Sequence, residues 1–153
     1  VITAGNASQI TDGAAAVLVC NDAGLKKIKC DPLVKVKGIS VVGDDPILML
    51  TGPIPATKKV LNKSKLNIDE IGLYEVNEAF APVPLAWEIE VKADRSKLNV
   101  NGGAMALGHP LGASGAKLMT TLIYEMHRRN EKYGLQAICE GGGTANATIL
   151  EKV

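Results

Sequence analysis

The sequence predicts an α/β fold, in which helices cover both faces of a mixed or parallel sheet. Apolar runs of strand length alternate along the chain with segments that carry apolar residues at helical spacing. The 153 residues are 46% hydrophobic but only 3% aromatic, so Ala, Val, Ile and Leu must fill the core. This alternation and composition favour a single layered domain of ordinary size.

The first half of the chain is predicted to contain three strands and one helix. Residues 13–19 are a short apolar run, typical of a buried strand, and residues 34–42 alternate apolar with polar side chains. Residues 44–55 are rich in Asp, Gly and Pro and are expected to form a loop. An amphipathic helix is predicted over 56–66, followed by a strand over 71–76.

The second half is predicted to hold two helices and three strands. A helix over 85–92 follows prolines that suit its entry, and a strand over 98–106 ends in tight, glycine-rich backbone. Ser114 is expected to cap a helix over 115–130, whose apolar residues form one stripe. The last two predicted strands are 135–139 and 145–150.

Charge and cysteine content exclude several classes of protein. With 17 Lys+Arg against 16 Asp+Glu, the net charge is +1, and no basic cluster indicates nucleic-acid binding. No apolar run of about 18 residues is present, so no membrane span is expected. The three widely spaced cysteines argue against a disulfide framework and indicate an intracellular, reducing compartment, whether cytoplasm, mitochondrion or peroxisome.

His109 lies in a glycine-rich turn, GHPLGASG, directly before the long predicted helix. Glycines let the backbone approach a ligand closely, and a helix N-terminus favours developing negative charge. Two alternatives remain open on local chemistry alone. The segment could be a tight turn with an incidental histidine, or a dinucleotide-binding turn, although its spacing is not that of the usual fingerprint.

Cys139 and Asn77 are the other candidates for chemistry, because each closes a predicted strand. Three glycines follow Glu140, so the Cys139 thiol could lie beside exposed amides, or it could be a small buried hydrophobe. Asn77 could orient a water or donate to an oxyanion, or it could be a turn residue. A metal site is not expected, since no C-x-x-C or H-x-x-x-H pair accompanies His109 and Cys139.

Four motifs together resemble the thiolase family. TAGNAS begins at Thr3, NEAF at Asn77, NVNGGAMALGHPLGASGAK at Asn99 and CEGGG at Cys139. They follow one another in the family's order, at about its spacing, over practically the whole chain. The resemblance implies a βαβαβαββ half of the thiolase fold, with a mixed five-stranded sheet covered by helices on both faces.

The resemblance also implies an activity and the residues that perform it. Thiolases cleave a 3-ketoacyl-CoA with CoA, or condense two acyl-CoA molecules in reverse. His109 matches the base that activates a nucleophilic cysteine, and Cys139 matches the second, acid/base cysteine, whose surroundings are expected to ease deprotonation. Asn77 matches a residue that holds a water in an oxyanion hole with the histidine, and the Gly141 amide matches a second oxyanion donor.

Substrate-binding positions follow from the same motifs. Ala4 and Ser8 match residues beside the pantetheine arm of CoA, while Ala79 and Phe80 fall near the thioester channel. Coenzyme A is therefore expected as a substrate, with no separate cofactor. Members of the family are dimers or tetramers, so a homodimer or homotetramer is expected, with no nucleic-acid partner.

The chain is expected to be the C-terminal portion of a thiolase. Residues 1–34 match the exit of the loop domain and the last strand of the N-terminal half, and residues 35–153 match the C-terminal domain. The family's nucleophilic cysteine precedes TAGNAS and matches neither Cys20 nor Cys30, so this chain alone is expected to be inactive.

Two alternatives and one departure from the family pattern accompany this interpretation. A ketoacyl synthase of the same superfold would pair two histidines, or a histidine and an asparagine, instead of using the second cysteine. A non-catalytic acyl-CoA-binding or assembly module would lose little when His109 is replaced. Glu140 stands where many thiolases have an apolar residue, and its charge would raise the pKa of Cys139 if the side chain pointed inward.

Overall fold

The computed structural model describes residues 1–153 and contains four strands and five α-helices. The strands are β1 (Val34–Gly43), β2 (Leu73–Val76), β3 (Tyr133–Glu140) and β4 (Thr144–Lys152). The helices are α1 (Asp22–Ile28), α2 (Pro53–Ser64), α3 (Pro82–Val91), α4 (Ala104–Leu107) and α5 (Ser114–Arg129). The predicted α/β class is confirmed.

The sheet is mixed and has the order β1-β4-β3-β2. β2 runs parallel to β3, whereas β4 is antiparallel to both of its neighbours. A hairpin through the glycine run 141–143 joins β3 to β4. The parallel pair requires a crossover, which α3, α4 and α5 supply between β2 and β3.

Helices cover both faces of the sheet, as predicted, and each face has its own buried core. On one face, α2 and α3 pack on β2, β3 and β4 through Ala56, Val60, Val83, Trp87 and their neighbours. On the other, Leu122, Ile123 and Met126 of α5 pack on Leu73 and Leu150. The side chains of β2 therefore alternate between the two cores, as the two-residue period of a strand requires.

The prediction of a fifth strand over 98–106 is wrong. Leu98 makes only an isolated parallel bridge to Tyr74, and the chain then enters α4. Asn99 and Gly102 have φ angles of 46° and 83°, which belong to the left-handed region and are incompatible with a continuing strand. The sheet therefore has four strands, and the pair Leu98–Tyr74 is the one bridge that these residues form where a fifth strand was predicted.

The predicted strand over 13–19 is also absent from the chain. Leu18 and Val19 are 77% and 75% exposed, and residues 11–21 form no ladder with any strand. An apolar run becomes a strand only where a neighbouring strand accepts its hydrogen bonds, and these 153 residues supply none at that position. The two-part division at residue 34 remains a prediction.

Two helices begin earlier than predicted, and prolines explain both differences. α2 begins at Pro53 and α3 at Pro82, each at the first helical position. Proline is favoured there because the first N–H of a helix has no intrahelical partner. No helix of the chain combines the length and apolarity needed to cross a membrane.

Candidate active site

Two of the predicted site residues, Asn77 and Cys139, lie at the C-terminal edge of the parallel pair β2–β3. Asn77 directly follows β2, and its backbone N–H donates to the carbonyl of Ala137 in β3 at 3.0 Å. Cys139 lies further along β3, near its end. Parallel strands end at the same edge of a sheet, which is where α/β folds bind their ligands. Because β2 and β3 run parallel, Asn77 and Cys139 lie at the same edge of the sheet.

His109 is held in the loop before α5 by two hydrogen bonds, one from its backbone and one from its ring. Its backbone N–H donates to the carbonyl of Gln9 at 2.8 Å, and its Nδ1 lies 2.6 Å from Oγ of Ser114. The Ser114 hydroxyl donates its only hydrogen to the carbonyl of Pro110 at 3.0 Å. Oγ must then accept from Nδ1–H, which leaves the lone pair of the neutral imidazole on Nε2.

The unprotonated Nε2 of His109 accepts a hydrogen bond from the side-chain amide of Asn77. The distance between Nδ2 of Asn77 and Nε2 of His109 is 3.4 Å. Asn77 is 1% exposed, and its Oδ1 is buried without a hydrogen-bond partner. A cavity of about 10 Å³ lies beside it, lined also by Gly103 and Ser114, which is at the lower limit for one water molecule.

The environment of His109 favours the neutral imidazole. Burial lowers its pKa, and the positive charge of Lys117 lowers it further. Lys117 is fixed nearby because its Nζ donates to the carbonyls of Leu107 and Gly108 at 2.7 and 3.1 Å. A neutral histidine with a free Nε2 can accept a proton from a nucleophile.

Cys139 is a free, partly buried thiol, and its surroundings act against the sequence-based expectation. Burial raises its pKa, and Glu140 contributes a smaller increase, so deprotonation is not eased within this chain. The Glu140 carboxylate accepts hydrogen bonds from the Thr144 hydroxyl and the Asn146 amide and lies on the exposed side of the hairpin. No hydrogen bond joins Cys139 to His109 or Asn77.

The glycine run after Cys139 has two positions that only glycine occupies without strain. Gly142 and Gly143 have φ angles of 73° and 78°, and a Cβ on Gly143 would lie 2.7 Å from the carbonyl oxygen of Asp44. Gly141 is different, because a Cβ there would meet nothing within 4 Å. The turn is therefore built by the last two glycines, while Gly141 borders open space.

The TAGNAS and NEAF segments lie side by side. Ser8 donates from its backbone N–H and its hydroxyl to the carbonyl of Ala79, at 3.0 and 2.9 Å. Ala7 and Phe80 form an antiparallel bridge next to this contact. The structure thus brings Ser8, Ala79 and Phe80 together. Ala4 lies outside this contact, in an exposed one-turn helix over residues 4–6.

Sequence reasoning missed the residues that connect the motifs. The Nδ2 of Asn99 donates to Oε1 of Glu78 and to the Val76 carbonyl, both at 2.9 Å, and its Oδ1 accepts from the Val76 N–H at 2.8 Å. The second Glu78 oxygen accepts from the Met105 N–H at 3.2 Å. Glu78 lies in the NEAF motif and Asn99 begins the NVNGG motif. Their place in these motifs was the sequence feature that indicated a special role.

The role of Ser114 was also predicted incorrectly. Ala113 occupies the N-cap position of α5, and Ser114 is the first helical residue. Its hydroxyl is engaged by His109 and Pro110 and so cannot cap the helix. No group of three His, Cys, Asp or Glu side chains is placed to hold a metal ion.

Comparisons with known proteins agree with these motifs. The family model described as "Thiolase, C-terminal domain" matches residues 30–152. The chain is 55% identical to "Steroid 3-ketoacyl-CoA thiolase FadA6" of Mycobacterium tuberculosis, over 99% of the chain and 37% of that relative.

Solved structures show the same fold. Human mitochondrial 3-ketoacyl-CoA thiolase in complex with CoA matches with a TM-score of 0.91 and 43% sequence identity. Bacillus anthracis acetyl-CoA acetyltransferase matches with a TM-score of 0.95 and 41% sequence identity. Each match covers 99% of this chain and 39% of the other. The chain thus spans less than two fifths of the length of these relatives.

Proposed function

The chain belongs to the thiolase family, and we propose that it forms the C-terminal part of an enzyme that transfers acyl groups to coenzyme A. The enzyme would cleave a 3-ketoacyl-CoA with CoA, and in reverse it would condense two acetyl-CoA molecules. The observation that carries the proposal is His109, whose Nδ1 is fixed by Ser114 while its Nε2 faces the amide of Asn77.

The first half-reaction uses His109 as base and Cys139 as acid. The Nε2 of His109 takes the proton of a nucleophilic cysteine, which lies in the part of the relatives that this chain does not span. The thiolate attacks the 3-keto carbon, the bond between C2 and C3 breaks, and its electron pair forms the enolate of the departing acetyl-CoA. Cys139 then donates its thiol proton to C2 of this enolate. The raised pKa of Cys139 keeps the thiol protonated until that step.

The second half-reaction returns both groups to their starting states. The Cys139 thiolate takes the proton of an incoming CoA thiol, and the CoA sulfur attacks the acyl-cysteine thioester. The nucleophilic cysteine leaves as a thiolate and recovers its proton from the His109 imidazolium. Asn77 and His109 would stabilise the first oxyanion through a bound water, and the Gly141 amide would stabilise the second.

Coenzyme A enters this proposal as a substrate, with no further cofactor. A solved relative binds CoA, and Ser8, Ala79 and Phe80 lie together beside the catalytic edge. We place these three residues, with Ala4, along the path of the pantetheine arm and thioester. The complete enzyme would be an intracellular homodimer or homotetramer.

The acyl group has two candidates. A short 3-ketoacyl-CoA such as acetoacetyl-CoA fits the shared motifs of the acetyl-CoA acetyltransferases. A bulky 3-ketoacyl-CoA is the second candidate, because the identity to the mycobacterial steroid thiolase is 55%, against 45–48% to four bacterial acetyl-CoA acetyltransferases. Comparing kcat/KM for acetoacetyl-CoA and for a long-chain 3-ketoacyl-CoA in the complete enzyme distinguishes them.

The proposed function is tested in a chimera, in which this chain replaces the matching part of the mycobacterial relative, 37% of that protein's length. Loss of acetoacetyl-CoA or of a longer 3-ketoacyl-CoA, in the presence of CoA, measures thiolysis. His109→Ala is expected to lower kcat by about 10²- to 10⁴-fold, which is the range for a lost general base. His127→Ala is the matched control, because His127 is exposed on α5 and should change kcat less than about twofold.

The same variants separate an enzyme from a binding module. A chimera that unfolds at the same temperature as the relative, yet shows no thiolysis, would support an acyl-CoA-binding or assembly module. Full activity of His109→Ala would contradict the assignment of His109 as base. The isolated chain serves as a further control, since turnover by it would mean that one of its own cysteines attacks the substrate.

A further inference from the structure

Glu75 is a buried acid beneath the candidate active site. It stands in the middle of β2 and is 2% exposed. Its register partner in the parallel strand β3 is Gln136, which is 3% exposed. Leu73, two residues before Glu75, packs against α5, so the period of the strand directs Glu75 to the same side. Gln136 lies on that side too, because its Nε2 donates to the Gly115 carbonyl in α5 at 3.2 Å.

Both paired side chains have an oxygen that lacks a hydrogen-bond partner. Oε2 of Glu75 and Oε1 of Gln136 are buried and unpaired. An ionised carboxylate and an amide oxygen are both acceptors, so neither can satisfy the other. One proton added to the carboxyl group converts it into a donor, and a single O–H···O bond then satisfies both oxygens. Leaving both unpaired would carry the full desolvation cost of two buried polar atoms.

The charges around Glu75 favour that proton. Burial raises its pKa to about 8, with further increases from Glu78 after β2 and Glu125 on α5. No cation compensates for them, because Arg128 and Arg129 are bound to Glu125.

The other charged groups on the neighbouring elements are also engaged elsewhere. Lys117 of α5 donates to the carbonyls of Leu107 and Gly108, and His127 of α5 contacts the Leu33 carbonyl. On β3, Glu140 accepts from Thr144 and Asn146, Tyr133 donates to Glu151, and Cys139 lies at the end of the strand. None of these groups is placed to stabilise an ionised Glu75.

We propose that Glu75 is a positioning residue: it stays protonated at neutral pH and donates its carboxyl hydrogen to Oε1 of Gln136. The other end of the Gln136 amide holds the Gly115 carbonyl in the first turn of α5. Ser114, which precedes Gly115, holds Nδ1 of His109. Glu75 therefore fixes the orientation of the imidazole through Gln136 and α5. The consequence for catalysis rests on the proposed function, whereas the protonation state does not.

The protonation state can be measured directly on the 153-residue chain. Glutamate labelled with ¹³C at the carboxyl carbon reports each side chain in an NMR titration. One resonance is expected to titrate near pH 8 and to disappear in Glu75→Gln. Titration of every glutamate resonance below about pH 6 would overturn the proposal.

The pH dependence of stability gives a second, independent readout. An acid whose pKa is raised in the folded state binds more protons folded than unfolded, so stability falls as pH rises from about 4.5 to about 8. Glu75→Gln removes this dependence and keeps an N–H donor for Gln136. The urea midpoint of the chain relative to this variant should fall between pH 5 and pH 8. Glu90→Gln is the matched control, because Glu90 is an exposed glutamate on α3. Equal slopes in all three proteins would contradict the proposal.

The positioning role is tested by the His109 ring itself. An ¹⁵N spectrum of the chain is expected to show the Nδ1–H tautomer of His109. Glu75→Gln should preserve that tautomer, whereas Glu75→Leu should release Gln136 and produce a mixture of tautomers. An unchanged His109 spectrum in folded Glu75→Leu would overturn the positioning role. None of these readouts depends on turnover, so their failure is separate from failure of the proposed thiolase activity.

Discussion

Ser114 determines which nitrogen of His109 is free, because its Oγ lies 2.6 Å from Nδ1 and gives its hydrogen to the Pro110 carbonyl. Ser114 is 4% exposed and is the first residue of α5. The imidazole therefore presents Nε2 toward Asn77 as a proton acceptor. Ser114, at the beginning of α5, therefore determines which ring nitrogen of His109 carries the proton.

Replacing Ser114 with alanine is expected to impair the His109 base without unfolding the protein. The imidazole loses its Nδ1 partner and can rotate or change tautomer, so kcat of the chimera should fall by at least about tenfold. Loss of one buried hydrogen bond should also lower the free energy of unfolding by about 1 kcal/mol. Steady-state kinetics and urea unfolding measure the two effects separately.

Ser64→Ala is the matched control for that experiment. The Ser64 hydroxyl is buried without a hydrogen-bond partner, so its removal should leave kcat unchanged and should not lower the unfolding free energy. Equal effects of the two substitutions on kcat would show that Ser114 does not orient the imidazole.

The lowered pKa of His109 predicts how activity and stability change below neutral pH. Burial and then Lys117 depress the pKa from its ordinary value of about 6.5. The unfolded chain therefore binds a proton first, and stability is lost as pH falls from about 6.5 through the folded-state pKa. The acid limb of kcat/KM for the chimera should lie below pH 6.5 for the same reason.

An NMR titration of the chain checks the sign of this shift. His127→Gln removes the second histidine signal and leaves His109 alone to be followed. Lys117→Gln should raise the pKa of His109, because it removes the nearby positive charge and keeps an amide donor for the Leu107 and Gly108 carbonyls. A midpoint above 6.5 in the parent chain would contradict the prediction.

Asn99 is expected to be the most sensitive of the connecting residues. Its side chain makes three hydrogen bonds to Val76 and Glu78 while its backbone has a φ of 46°. Asn99→Ala removes these bonds and keeps the strained backbone, so the unfolding free energy should fall by about 2–4 kcal/mol.

Two further variants divide that loss into its causes. Asn99→Gly lacks the same bonds but relieves the left-handed backbone, and should be about 1 kcal/mol more stable than Asn99→Ala. Asn62→Ala, at an exposed position in α2, is the control for an ordinary asparagine. Urea unfolding of all four proteins makes the comparison, and a loss for Asn99→Ala no larger than for Asn62→Ala would refute this account.

The elements that the sequence predicted well are those whose pattern is local. The alternating strand over 34–42 is β1 at Val34–Gly43, and the apolar stripe over 115–130 is α5 at Ser114–Arg129. The stripe of α5 meets the core through Leu122, Ile123 and Met126. In β1 the period of a strand is present, but the buried residues are Gly38 and Ser40, while Val36, Ile39 and Val41 are exposed. The strand predicted over 13–19 failed because strand formation depends on a partner elsewhere, and no period in those residues reports whether the partner exists.

The same distinction applies to the site: the motifs predicted which residues belong to it, but not the contacts that these residues make. The motifs identified His109, Asn77, Cys139 and Gly141 by their residue types and spacing, and the fold places the first three at one edge of the sheet. The contacts among them were not predictable, because Ser114 fits a helix-cap rule in sequence and a histidine anchor in space. The pairing of Glu75 with Gln136 depends on strand register, although an acid inside the apolar run before Asn77 was an available indication.

The core between α2, α3 and the sheet contains a buried polar pair whose strength can be tested. Nε1 of Trp87 in α3 donates to Oγ1 of Thr57 in α2 at 2.8 Å, and both residues are fully buried. Thr57→Val keeps the shape but leaves the indole N–H unpaired, so the unfolding free energy should fall by about 1–3 kcal/mol.

A double-mutant cycle isolates the contribution of this hydrogen bond. Trp87→Phe removes the donor, so Thr57→Val should cost at least about 1 kcal/mol less in the Trp87→Phe background than in the parent chain. Urea unfolding at one pH supplies all four free energies. If Thr57→Val costs the same in both backgrounds, the pair is not coupled, and this hydrogen bond does not help to hold α2 and α3 together.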